Sequence, residues 1–169
     1  MVWARAALLL LSFTILEVQV LAELRVFDVA AQLVLASAIA AGMTGGPDGG
    51  AIYGFAAGLM IDLYLPTPFG LSGFAFGLSA WIIGFVAGRV IEESWAARVG
   101  FVALGSALGT IIYVLLGEAL GQRGMLTDAF VFKLTIIVAI NAVLGIFLVP
   151  VVAWMWDFGW NDRGRWNPA

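Results

Sequence analysis

The sequence has no cysteine and no histidine. The first absence excludes disulfides and thiolate chemistry, and the second excludes His-ligated metals and haem. Without histidine the chain also lacks the usual proton shuttle near neutral pH. Charge is scarce as well: eight Lys and Arg stand against eleven Asp and Glu, a net charge of −3 over 169 residues. The basic residues are scattered, so no nucleic-acid footprint forms. Glu92 and Glu93 are adjacent and do not converge on one point. No Lys-Ser/Thr follows a Gly-rich stretch, so there is no P-loop, and a G-x-S-x-G elbow would have no His partner. Neither an enzyme nor a bound cofactor is expected.

Apolar side chains fill the space that charge leaves. The hydrophobic fraction is 63% and the mean hydropathy +1.05. A soluble domain of this length has too little interior to hide them, so bilayer hydrocarbon is the expected solvent. At about 20 residues per span, the chain reads as an all-α polytopic bundle of six transmembrane helices. They are expected near residues 6–21, 29–43, 50–64, 69–90, 99–116 and 130–156. The first is read as a retained span rather than a removable signal, because the apolar run continues past Glu17 and Gln19 and only Arg5 precedes it. The run 42–50 (GMTGGPDGG) is a breaker by local rules and predicts a tight turn. The sixth helix, longer than one span needs, is expected to tilt or to bend near Pro150.

Residues 1–156 thus form one transmembrane domain, and 157–169 a short Trp-containing interfacial tail. Six spans put Arg5, Arg89, Arg98, Arg163 and Arg165 on one side and Arg25, Arg123 and Lys133 on the other. The positive-inside rule then places both termini in the cytoplasm. Most of the seven tryptophans, Trp154 and Trp156 among them, sit near helix ends and are expected in the headgroup layer. Trp81, in mid-span, is the exception.

Small residues recur at four-residue spacing: Gly46, Gly50, Gly54 and Gly58, then Gly73 and Gly77, Gly84 and Gly88, Gly105 and Gly109. This spacing lets membrane helices approach closely. Internal packing is the plain expectation, and a docking face for another membrane protein the sharper one. Asp62, at the end of the third helix, either has a functional role as a near-membrane carboxylate or caps the turn ahead of the fourth helix. Glu17 and Gln19 face a partner, line a cavity or lie in the headgroup layer, with the last preferred. Asn141 is expected to hydrogen-bond across helices.

The segment 49–90, GGAIYGFAAGLMIDLYLPTPFGLSGFAFGLSAWIIGFVAGRV, resembles the MreD family of the bacterial rod-shape machinery. That family shows a Gly-rich turn, a G-x-x-x-G-x-x-x-D helix, a short loop and a Gly-Leu opening the next helix. The matching positions are Gly54, Gly58, Asp62, Gly70 and Leu71, with Gly84 further on. The stretch 141–150, NAVLGIFLVP, resembles the family's last helix. The resemblance covers about a quarter of the chain. It implies a non-enzymatic scaffold in the bacterial inner membrane that binds MreC, a single-span protein. Through MreC it would connect to the RodA glycosyltransferase, a penicillin-binding transpeptidase and the MreB cytoskeleton.

The implied fold is like that of the substrate-binding subunits of energy-coupling-factor vitamin transporters, which supplies the competing expectation. A vitamin pocket would draw on Glu17, Gln19, Asp62, Tyr113, Thr135 and Asn141, and Ala36 and Ala40 match the Ala-x-x-x-Ala pattern that docks the coupling subunit there. The scaffold is the preferred of the two.

Overall fold

A computed structural model describes residues 2–21, 30–89, 94–122 and 124–156. The expected interfacial tail 157–169, the loop charges Glu23, Arg25, Asp28, Glu92 and Glu93, and Arg123 lie outside the described residues. Among those described, the chain is helical and has no strand. Helix α1 (Val2–Leu16) runs into a π-helical turn, Glu17–Leu21, followed by α2 (Leu33–Asp62), α3 (Leu71–Ala87), α4 (Trp95–Ala119) and α5 (Phe130–Trp156).

Helix α2 is two helices joined at one residue. Gly46 sits at φ 80°, ψ 173°, a region essentially closed to residues with a Cβ. The cause is local. Pro47 removes a backbone donor and pushes the preceding residue out of the α region. It then serves as the first residue of the new helix, where a missing N–H costs nothing. The two halves fold back on each other, because a Cβ on Gly50 would run into the backbone of Gly42. In a straight helix those residues would stand about 12 Å apart. The expected turn over 42–50 therefore narrows to Gly46, with helix on both sides.

The other boundaries shift modestly. The fifth expected helix starts earlier, at Trp95, because the Ser94 hydroxyl accepts a hydrogen bond from Ala97 N at 3.1 Å and caps the first turn. The last helix spans Phe130–Trp156, as hydropathy suggests, and continues through Pro150.

The first half of α2 is the centre of the bundle. Leu35, Ala36, Ala38, Ile39, Ala40 and Ala41 are all 0% exposed. Helices α1, α3, α4 and α5 pack around α2, most extensively α3. A helix apolar on every side belongs in the interior. The outer surface is apolar too: Leu8, Leu104, Leu115, Phe132, Val143 and Phe147 are exposed on α1, α4 and α5. Such a surface suits lipid and not water.

Where six spans are expected, three helices among the described residues are long and apolar enough to cross a membrane: Val2–Gln19, Trp95–Ala119 and Phe130–Trp156. Leu71–Ala87 is apolar but has 17 residues, about 26 Å at 1.5 Å per residue. Length and composition thus support a helical membrane protein.

One tryptophan departs from the interfacial expectation. Trp156 is 4% exposed, because the glycines at 45 and 49 leave a flat surface on which its indole lies. Its ring also meets Trp3 edge-on at 6.4 Å. Trp3, Trp95 and Trp154 are exposed, and Arg5 stacks over the Trp154 ring at 4.7 Å.

Candidate functional site

Two features stand out: a closely packed hairpin made by the second half of α2 with α3, and a cavity at the end of the bundle where that hairpin's loop lies.

The hairpin is built from backbone-to-backbone contact. A methyl group at Gly58 would collide with Ser72 and Gly73, and one at Gly54 would come within 2.8 Å of the Phe76 carbonyl oxygen. Gly84 lies against the Gly42 carbonyl and Pro47 in the same way. Gly105 and Gly109 of α4 face the side chains of Ile39 and Leu35. The glycines at 54, 58, 84, 105 and 109 therefore point into the bundle.

The loop that closes the hairpin is organised by Asp62, 4% exposed. The first turn of a helix leaves N–H groups without partners, and at α3 the cap residue is Gly70 (φ 97°, ψ −9°), which has no side chain to offer. The Asp62 carboxylate supplies what is missing. Its Oδ2 accepts from Gly70 N at 2.8 Å, both oxygens lie 3.2 Å from Ser72 N, and Gly73 N is 3.5 Å from Oδ2. A negative group at the positive end of a helix dipole is favourable, and charged acceptors make the stronger hydrogen bonds. Leu71, 4% exposed, tucks beneath this cap. Of the two roles open to Asp62 in the sequence, the geometry is that of the cap.

Glu17 does the same for α2 from the π-turn. Its Oε2 accepts from Val34 N at 2.6 Å. Two residues back, Gln32 N donates to Asn141 Oδ1 at 3.2 Å. Asn141, 0% exposed, donates from Nδ2 to Ser106 Oγ at 3.1 Å. Thr110 Oγ1 in turn donates to Gln32 Oε1 at 3.1 Å. One polar chain thus ties the start of α2 to α4 and α5.

Beside this chain lies a cavity of about 470 Å³, with polar lining from Glu17, Gln32, Ser72, Thr110, Tyr113 and Lys133. Its walls are apolar, including Ile61, Phe76 and Ile137. Of the six residues expected for a vitamin pocket, Glu17 and Tyr113 line it. Asp62 and Asn141 are taken up in capping and cross-helix bonds. Gln19 is exposed, and so is Thr135, which bonds back to the Val131 carbonyl at 2.8 Å. Glu17 lines the cavity, with its carboxylate drawn inward to the α2 terminus. Gln32, Ser72, Thr110 and Lys133 carried no sequence signal beyond being polar in apolar surroundings.

On its outer side the hairpin carries an apolar groove of about 560 Å³. Ile52, Phe55, Phe74 and Trp81 rise along its sides, all exposed, above the small residues Ala51, Ala56 and Gly77. Among the described residues, no group of three or more His, Cys, Asp or Glu could hold a metal ion. Compared with protein-family models, with curated proteins and with solved structures, the chain matches none.

Proposed function

We propose that this chain is a non-enzymatic scaffold subunit of the bacterial cell-elongation machinery, as the MreD resemblance implies. In this reading it crosses the inner membrane several times with both termini in the cytoplasm. It binds the single transmembrane helix of MreC, and through MreC the RodA glycosyltransferase and a penicillin-binding transpeptidase. The observation that carries the proposal is the groove on the α2–α3 hairpin. Its floor of small residues admits a close helix backbone, which is how helices associate in lipid, and its lining is almost wholly apolar. The positions that match the family, Gly54, Gly58, Asp62, Gly70, Leu71 and Gly84, all shape this hairpin. None needs to touch the partner to set the groove's form.

The transporter reading draws on the cavity, but other observations weigh against it. Ala36 and Ala40 are 0% exposed, so that pair cannot dock a coupling subunit. Asp62 and Asn141 are already occupied within the fold.

The test is affinity purification of the tagged protein in mild detergent with mass spectrometry of what accompanies it. MreC, alone or with RodA and the transpeptidase, is the expected company. Because the chain has no cysteine, Phe55→Cys or Phe74→Cys gives a unique site for crosslinking to the MreC span. Recovery of an ATPase pair with a coupling subunit would sink the proposal.

A further inference from the structure

The end cavity has a composition that scaffolding does not explain. Its volume of about 470 Å³ falls within the range of small-molecule sites, roughly 300–1,000 Å³. Among the described residues, one acid and one base line it, Glu17 from the π-turn and Lys133 from the first turn of α5. Among the described residues neither has an ion pair: Glu17 has its bond to Val34 N, and the Lys133 ammonium has none. A third lining residue, Ser72, is 0% exposed, and its hydroxyl has no hydrogen-bond partner. Buried polar atoms without partners are rare in folded proteins.

The rim indicates the kind of molecule that would answer these groups. Tyr64 and Leu65 line the cavity and are exposed, and Leu63 and Phe69 extend the same loop as exposed apolar side chains. An opening bordered by aromatic and aliphatic residues suits an entrant with hydrocarbon attached, as at a membrane interface.

We propose that this cavity holds the zwitterionic headgroup of a membrane phospholipid, its ammonium at Glu17 and its phosphate at Lys133, with the acyl chains leaving past Tyr64 and Leu65. The Ser72 hydroxyl oxygen then accepts from the ammonium at the buried end of the headgroup. Phosphoethanolamine carries both charges on a short spacer, whereas a phosphoglycerol headgroup offers Lys133 a phosphate and gives Glu17 no cation. The site stands apart from the partner groove and does not depend on the scaffold reading.

The test is native mass spectrometry of the full-length protein released from micelles containing equal phosphatidylethanolamine and phosphatidylglycerol. The wild type retains one phosphatidylethanolamine in preference to phosphatidylglycerol by about tenfold, the discrimination that one charged hydrogen bond provides. Glu17→Gln keeps an acceptor for Val34 N but removes the negative charge, so the preference between the two lipids disappears. Lys133 is exposed, so Lys133→Gln folds normally and loses retention of both. Equal retention of the two lipids by the wild type, an unchanged preference in Glu17→Gln, or unchanged retention in Lys133→Gln would each overturn the proposal.

Discussion

Asp62 is the residue whose replacement tests the architecture most directly. Its carboxylate accepts from Gly70 N at 2.8 Å and Ser72 N at 3.2 Å, with Gly73 N further off at 3.5 Å. Asp62→Ala strands these donors at a position 4% exposed, where water cannot replace the lost acceptor. An exposed N-cap is worth about 1 kcal/mol. Two short bonds to a charged acceptor, at about 1.5 kcal/mol each, raise the expected loss here to about 3 kcal/mol. Asp62→Asn keeps one acceptor oxygen and loses the charge, so its cost is about 1 kcal/mol. Unfolding by sodium dodecyl sulfate in mixed micelles, followed by tryptophan fluorescence, reads both values. If Asp62→Ala stays within about 0.5 kcal/mol of wild type, the scatter of ordinary surface changes, the capping argument fails. A second comparison separates capping from direct chemistry. A cap predicts that Asp62→Asn retains most partner recovery along with most stability, whereas a carboxylate needed for its charge at an interface loses recovery with stability intact.

Further outcomes follow from other contacts. Gly58→Ala drives a methyl group into the Ser72–Gly73 backbone, so the same unfolding assay is expected to show a loss of about 1–3 kcal/mol from overpacking. Gly46→Ala meets no neighbour within 4 Å yet is also expected to lose about 1–3 kcal/mol, wholly from backbone strain at φ 80°, ψ 173°. Asn141→Ala and Ser106→Ala should couple in a double-mutant cycle by about 0.6 kcal/mol, the average for hydrogen bonds between membrane helices, and by no more than about 1.7 kcal/mol. Phe74→Ala, on the exposed side of the groove, should leave unfolding unchanged and reduce MreC recovery.

What could be read in the sequence was what local chemistry determines. Gly46-Pro47 had to break a helix whatever surrounded it, and glycines at four-residue spacing had to make a face for close approach. The partners of those faces were not legible, because they depend on which helices become neighbours. Glu17 reaches Val34, Thr110 reaches Gln32 and Asn141 reaches Gln32 and Ser106, pairings that span loops and depend on the packing of four helices. Periodicity carries no information on that. Asp62 was an intermediate case: its distance from Gly70 is short in sequence, and a glycine opening a helix without a side chain to cap it already calls for an acceptor nearby. The start of α4 was legible and obscured only by the charges around it, since Ser94 is a good cap standing between Glu92-Glu93 and Arg98. Burial of Trp156 was not legible, because its host surface at Gly45 and Gly49 is more than a hundred residues away.

The distribution of polar groups explains how a chain with so little charge can hold a defined shape in lipid. In water a loose hairpin is pressed together by the hydrophobic effect, but in hydrocarbon that drive between helices is missing. Shape must then come from close packing and from the few polar groups that cannot be left without partners. The structure uses both in the same place. Gly54 and Gly58 bring α2 against α3, and that proximity is what allows Asp62 to reach the N–H groups at the start of α3. Were the helices held apart by a methyl group at residue 58, the carboxylate would be withdrawn from its donors, so packing and capping fail together. Glu17 at the start of α2 repeats the arrangement with one difference. Asp62 is enclosed by the turn it caps, whereas Glu17 stands in the wall of a cavity with Lys133. The carboxylate that completes the fold is therefore distinguishable, by its surroundings alone, from the one that also has a ligand's charge within reach.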